Sequence, residues 1–335
     1  MGAGAFEPVR VGVVGLGDFG RLHALTLAGL AEAELVAAVA RRQASLDELQ
    51  AQLPGVPGWL DLDTALKESR AEAWIVASTT STHVALARKL LRAGLPVLVE
   101  KPLAGALMEA LELAPLVSED SSNLMVGHIL LFNSEFRHLL AEVRARPPLA
   151  FVSCVRHRPV TTMERFPGES PFHLTMVHDL YTVLALVRRR EPVGFSAQAH
   201  SAPGGACDLA LAQLEWSDGL VASLTASFMS PEGMPADGYD QLEVYGAGWA
   251  ARVSANPRPF ALWDDRARAP LTLEIAADPV MPSGMLAEQL RCFCRVVRKR
   301  QPVPLGASYH DALQVQRWLD RLEELARHGR SPASG

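Results

Sequence analysis

The chain lacks most of the features that would place a protein in a specialised class at once. Four cysteines in 335 residues are few, and only Cys292 and Cys294 lie close together. That excludes a disulfide-stapled scaffold and predicts buried or half-buried thiols in a reducing compartment. No second Cys or His pair has zinc-ligand spacing, so no metal is expected. Positive charge is not in excess: 32 Lys and Arg against 37 Asp and Glu leave a net −5. A nucleic-acid partner needs a concentrated positive face, and none is expected here. The run Arg188–Arg190 reads instead as a helix end with its cations in the last turn. No apolar run reaches spanning length, and Met1–Pro8 lacks the basic and apolar regions of a signal peptide. We therefore expect no membrane partner and a cytoplasmic location. No internal repeat is visible. What remains is a globular composition, 49% hydrophobic and 21% charged, with length for two domains of ordinary size.

The first third alternates short apolar runs with helical periodicity. Val9–Val14, Glu34–Ala40, Trp74–Ala77, Pro96–Val99 and Asn123–Val126 read as strands. Helical patterns lie between them at Phe19–Leu30, Leu46–Gln50, Val84–Arg92 and Ala106–Ala114. Strand–helix alternation predicts βαβ units and a parallel sheet with right-handed crossovers. Near residue 150 the pattern changes. Phe151–Arg156, Val193–His200, Asp208–Glu215, Val221–Ser227 and Tyr239–Tyr245 are strand candidates broken by glycine- and proline-bearing turns. Asp208–Trp216 partly alternates apolar with polar residues, as a half-exposed antiparallel strand does. Helices are expected at Pro171–Val187, Met285–Val297 and Tyr309–Arg327. The expected architecture is α/β: an N-terminal Rossmann parallel sheet over residues 1–126, then a C-terminal α/β domain, 127–330, with a large, mostly antiparallel open sheet. A frayed tail, 331–335, follows.

Gly15-Leu16-Gly17-Asp18-Phe19-Gly20 matches G-x-G-x-x-G, and its context gives the match meaning, because it follows an apolar strand and opens a helix. Gly15 permits the tight turn, Gly17 lets a pyrophosphate approach the backbone, and Gly20 allows the helix to pack closely on the strand. The helix N-terminus adds unpaired N–H groups and a positive dipole end. At the end of the second strand, where an NAD site offers a carboxylate to the ribose hydroxyls, this sequence has Ala40-Arg41-Arg42. An acid repels a 2′-phosphate and a guanidinium grips it. NADP(H) is the expected cofactor, with NAD(H) the alternative if both arginines are only solvated charges.

With that loop, Ala77-Ser78-Thr79-Thr80-Ser81-Thr82-His83 and Ala93–Pro102, which ends in Glu100-Lys101-Pro102, the chain resembles the Gfo/Idh/MocA oxidoreductase family, whose members include glucose–fructose oxidoreductase and inositol dehydrogenases. The resemblance implies a Rossmann domain followed by a sheet domain that commonly forms the oligomer interface, hence a homodimer or homotetramer. It implies cofactor contacts from Gly15 to Gly20 and from Arg41, Arg42, Ser78, Thr79, His83, Glu100 and Lys101. Lys101 is implied to face both nicotinamide and substrate, with Pro102 often in a cis bond. An ammonium beside a reacting hydroxyl favours the charge developing on its oxygen.

Two segments depart from the family pattern. The family's second signature places an Asp four residues before a His, one turn apart on one helix face. Here His178 holds the His position and Leu174 stands where the Asp would be. Asp179 does not replace it, because neighbouring helix residues point about 100° apart. Thr175 and Thr182 share the face of His178, and His173 lies just outside it. The segment Gly127–Ser134, with His128, has Leu131 and Ser134 in place of the family's Arg and Pro. Arg156, His157 and Arg158 suit an anionic or polyhydroxylated ligand, but alternation along a strand keeps them from sharing one face. The expected activity is hydride transfer between a nicotinamide and a secondary alcohol or carbonyl of a small sugar- or cyclitol-like substrate. Lys101 would polarise oxygen and His178 exchange the proton, with His128, Arg158 and Thr175 as substrate contacts. A non-catalytic dinucleotide-binding sensor or scaffold, favoured by Leu174, and a reductase of a non-sugar substrate remain the alternatives.

Overall fold

The computed structural model describes residues 7–256, 262–263, 267–268 and 274–328. The chain divides into two compact units, Met1–Phe132 with Ile275–Leu313 and Asn133–Glu274 with Gln314–Gly335. The expected division fell at residue 126, six residues before the first unit's first segment ends, and did not foresee that a later segment returns to that unit. The expected frayed tail, 331–335, lies outside the described residues.

In the first unit β1 (Val9–Val14), β2 (Ala33–Val39), β3 (Gly58–Trp59), β4 (Ala73–Val76), β5 (Val97–Glu100) and β6 (Leu124–Gly127) form one sheet in the order β3-β2-β1-β4-β5-β6. Every pairing is parallel. Helices α1 (Asp18–Ala28), α2 (Gln43–Gln52), α3 (Leu62–Glu68), α4 (Thr80–Arg92) and α5 (Leu107–Leu111) connect the strands. The strands are apolar because both faces of the sheet are covered: Val11, Val13, Trp74, Ile75, Val97 and Leu98 are fully buried. The expected strands all form, displaced by at most a residue at either end. The short β3 and α3 carry too little periodicity to be seen in advance. Strand order reverses between β1 and β4, so a crevice opens at the carboxyl ends of these strands. A later segment adds the ladder of β15 (Ile275–Ala276) with β16 (Ser283–Gly284).

The second unit holds α6 (Ser134–Ala145), β7 (Leu149–Pro159), α7 (Thr162–Arg165) and α8 (Val177–Val187). Strands β8 (Gly194–Ser201), β9 (Cys207–Glu215), β10 (Val221–Ser230), β11 (Tyr239–Gly246) and β12 (Trp249–Asn256) join β7 in the order β12-β11-β7-β10-β9-β8. Only the central pair β7–β10 is parallel. The sheet is thus mixed and mostly antiparallel, as expected, with β12 added. A small ladder, β13 (Leu262–Trp263) with β14 (Ala267–Arg268), lies in the same unit. Strict alternation buries Val152, Cys154, Ala210, Ala212, Leu224 and Val244 on one face.

The helix expected over Pro171–Val187 opens instead as a π-helical turn, Phe172–Met176, before α8. The Thr175 hydroxyl donates to the Pro171 carbonyl at 2.9 Å within that turn. Arg188 and Arg189 follow α8 in left-handed conformation (φ 54° and 64°) rather than filling its last turn. Two further helices complete the described chain: α9 (Met285–Val297), in the first unit, and α10 (Tyr309–His328), which begins there and continues in the second. None of the four cysteines forms a disulfide; Cys292 and Cys294 are buried, and burial pushes the Cys294 thiol up to about 12. Among the described residues no helix is long and apolar enough to cross a membrane.

Candidate functional site

The glycine loop lies between β1 and α1, and its three glycines answer to different constraints. Gly15 has φ +95°, and a Cβ there would sit 2.6 Å from the Ala77 carbonyl oxygen. A Cβ on Gly20 would collide with the Gly15 carbonyl. Both are required by the protein's own packing. Gly17 is not, since a Cβ there meets nothing within 4 Å. Gly17 is also the N-cap of α1 and offers no side chain to the first-turn N–H groups. Open space beside the first-turn N–H groups at a positive helix end is a cradle for a phosphate. Leu16 is buried, while Asp18 is exposed and pairs with Arg21 at 3.6 Å. Phe19 lies edge-on to His23, ring centroids 5.2 Å apart.

The neighbouring strand ends converge on this loop. Ser78 and Thr79 follow β4, with Thr79 as N-cap of α4, and the Ser78 and Thr82 hydroxyls are 2.6 Å apart. Lys101 follows β5 and is half-buried, and the Lys101–Pro102 peptide is cis. His83, on α4, is buried with Nδ1 2.8 Å from the Pro102 carbonyl and Nε2 3.0 Å from the Ser78 carbonyl. Its ring is therefore engaged by the loops on either side of the crevice, as their support. Glu100 is buried too, and its Oε1 accepts from His23 Nε2 at 2.9 Å while Oε2 lies 3.3 Å from the Lys101 N–H. Arg41 and Arg42 are exposed just beyond β2, and Arg42 caps α2. His128 is fully buried at the end of β6.

In the second unit, α8 and the π-turn before it carry Thr175 and His178. Thr175 is buried with its hydroxyl committed to Pro171, whereas His178 is half-buried. Leu174 is half-buried on the π-turn. Asp179 turns to the sheet, where its Oδ1 accepts from Arg156 Nε at 2.9 Å. Arg156 also donates to Asp240 Oδ2 at 2.8 Å, and Arg158 to Asp240 Oδ1 at 2.6 Å. Arg158, expected to meet substrate, is thus bound to a carboxylate of its own unit. His157 points to the opposite face, beside Ser227 Oγ at 2.8 Å and stacked on Tyr239. Alternation separated these three residues as expected. Burial lifts the Asp179 carboxyl from 3.8 to about 6, reinforced by Asp240 and opposed by Arg156.

His173 bonds to Glu323 at 3.1 Å; burial lowers its proton affinity, but that carboxylate more than offsets the effect and raises it overall. The sequence reading missed His23, Asp240 and the partner of Asp179. The available signal for His23 was its place three residues after Gly20, on the face of α1 that meets the sheet. Which carboxylate it would meet is set by strand order alone.

A family model described as an oxidoreductase family with an NAD-binding Rossmann fold matches residues 9–128. Over this segment, about a third of its length, the chain is similar to the Gfo/Idh/MocA oxidoreductase family. It is 33% identical to an inositol 2-dehydrogenase of Leifsonia xyli over 132 residues, 39% of each chain. It is 34% identical to inositol 2-dehydrogenase 1 of Saccharopolyspora erythraea over 182 residues, 52% of this chain and 53% of that protein. The chain thus spans between two-fifths and about half the length of these curated relatives. In fold it is similar to myo-inositol 2-dehydrogenase of Lactobacillus plantarum, with a TM-score of 0.82, 20% identity, and coverage of 96% of this chain and 98% of that one.

Proposed function

We propose that this protein is an NAD(P)-dependent dehydrogenase or reductase acting on a secondary alcohol or carbonyl of a cyclitol- or sugar-like compound. The observation that carries the reading is the convergence of a phosphate cradle at Gly17 with Lys101 at the carboxyl end of β5. The names of the relatives, inositol 2-dehydrogenases, support the substrate class. When bound, the nicotinamide supplies the hydride acceptor or donor. The chain's own residues do the rest: the first-turn N–H groups of α1 hold phosphate, and the Lys101 ammonium hydrogen-bonds the reacting oxygen and favours its developing charge. His178 is assigned the exchanged proton, a role that suits an imidazole.

The finer preference for NADP(H) is supported by Arg41 and Arg42, exposed after β2, with Ala40 where an NAD site has its acid. A homodimer or homotetramer through the second unit's sheet is supported by Phe151, Val155, Leu209, Leu211 and Val221, half-exposed on the face opposite α8. The second reading, a dinucleotide-binding sensor, is favoured by one observation: Leu174 holds the carboxylate position and the adjacent carboxylate, Asp179, is bound to Arg156.

A fluorescence titration with NADPH and NADH, followed by a polyol and sugar panel on the same sample, tests the proposal. Micromolar binding with turnover of a polyol is expected. Binding without turnover across the panel transfers the weight to the sensor, and binding of neither nucleotide removes both readings.

A further inference from the structure

Two buried histidines that take no part in the proposed chemistry bracket the segment that does. His23 lies on α1, the helix opened by the glycine loop, and is fully buried. Its Nε2 meets Glu100 Oε1 at 2.9 Å. A carboxylate only accepts, so Nε2 carries the proton. Nδ1, buried with no hydrogen-bond partner, then holds the lone pair, which costs less there than a stranded N–H. The other oxygen of Glu100 lies 3.3 Å from the backbone N–H of Lys101. On the far side, His83 of α4 joins the Pro102 carbonyl to the Ser78 carbonyl. Gly127 on β6 completes the seat, for a Cβ there would lie 2.5 Å from Glu100 Oε1. The His23–Glu100 and His83–Pro102 links are short and buried, and they join residues 77 and 19 apart in sequence. Surface solubility does not explain any of them.

We infer that His23 and Glu100 are positioning residues that fasten the Lys101 backbone to the glycine-loop helix, so that nucleotide grip and lysine placement are set together. The inference rests on the dinucleotide-binding reading and deepens it. A purely structural pair would influence stability alone. A coupling pair changes nucleotide affinity and the environment of Lys101 in variants that remain folded.

The test uses His23→Leu, His23→Gln, Glu100→Gln, the double variant His23→Leu/Glu100→Gln and Gly127→Ala, in the full chain. Gln at 23 keeps a donor where Nε2 stands. Ala at 127 displaces the carboxylate without altering either partner. The readouts are NADPH and NADH dissociation constants and the rate of Lys101 labelling by trinitrobenzenesulfonate, followed by peptide mass spectrometry, with Lys67, Lys89 and Lys299 as internal references. His23→Leu should weaken nucleotide binding roughly tenfold or more, the scale of a lost charge-assisted hydrogen bond, and change Lys101 labelling several-fold. His23→Gln should restore both, Gly127→Ala should reproduce the loss, and the double variant should be no worse than the more affected single one. Where His23→Leu fails to fold, Gly127→Ala and His23→Gln carry the decision. Wild-type affinity and labelling in Gly127→Ala, or strictly additive effects in the double variant, overturn the coupling. If the wild-type chain binds neither nucleotide, the functional reading falls instead, and that outcome is seen before any variant is made.

Discussion

Asp179 makes the pH dependence of this fold predictable in sign and scale. Its carboxyl is 2% exposed and lifted from 3.8 to about 6, mainly by burial. A folded-state value above the unfolded one means that the native state holds a proton the unfolded chain has released. The associated stability is fully present below about pH 4 and is lost as pH rises through about 6. Two units at about 1.36 kcal/mol each amount to ~3 kcal/mol. Asp179→Asn removes the titration and keeps an acceptor for Arg156 Nε. It also leaves Arg156 and Arg158 sharing Asp240 alone, a constant cost at all pH values, because guanidinium groups do not titrate in this range. The informative quantity is therefore the difference between wild type and variant as a function of pH.

Urea unfolding followed through Trp216 and Trp318, whose rings meet edge-on in the second unit at 6.3 Å, reports on the relevant unit. Wild type should lose ~3 kcal/mol relative to the variant between about pH 4 and pH 6.5, and no more above that. A flat difference refutes the reasoning. A difference of opposite slope would mean that Arg156 prevails over burial and Asp179 is ionised throughout.

Four further outcomes follow from the same geometry. Lys101→Ala should cut kcat roughly 100-fold or more while the nucleotide Kd measured by fluorescence changes little, as for loss of a donor to a developing oxyanion; unchanged turnover removes Lys101 from the chemistry. Gly17→Ala should keep thermal stability near wild type and weaken nucleotide binding, because its Cβ enters only open space, whereas Gly20→Ala should unfold more readily because its Cβ strikes the Gly15 carbonyl. The paired substitution Arg41→Ala/Arg42→Ala should reduce NADPH affinity about tenfold or more and leave NADH binding intact, since only the former offers a 2′-phosphate to a guanidinium; equal losses would refute the cofactor preference. Leu211→Asp, on the half-exposed sheet face, should lower the molecular mass seen by sedimentation to that of a monomer, and an unaltered mass would place the interface elsewhere.

Much of the first unit was legible in the sequence because its signals are local. Val9–Val14 is apolar and short, the glycines that follow have fixed spacing, and each parallel strand reads as a buried run. These local signals place the glycine loop, Ala40-Arg41-Arg42 and Glu100-Lys101-Pro102 at strand ends. The same local logic separated Arg156 and Arg158 from His157. The π-turn at Phe172–Met176 escaped, since α and π windings share the same apolar pattern and differ by one residue in hydrogen-bond span.

The partners of the charged and polar side chains were decided only in three dimensions. His23 and Glu100 are 77 residues apart, and Arg156 and Asp240 are 84 apart. No periodicity in the chain announces either pair. Strand order leaves one strand, β4, between β1 and β5, so that Glu100 at the end of β5 meets His23 of α1, and register sets Arg156 opposite Asp240. Sequence alone determined which residues stand at the ends of the strands, because backbone period and glycine geometry are properties of a few consecutive residues. The tertiary structure decided which of those residues face open space and which are spent on one another. Burial forbids a lone charge, and the nearest partner it permits is a matter of topology.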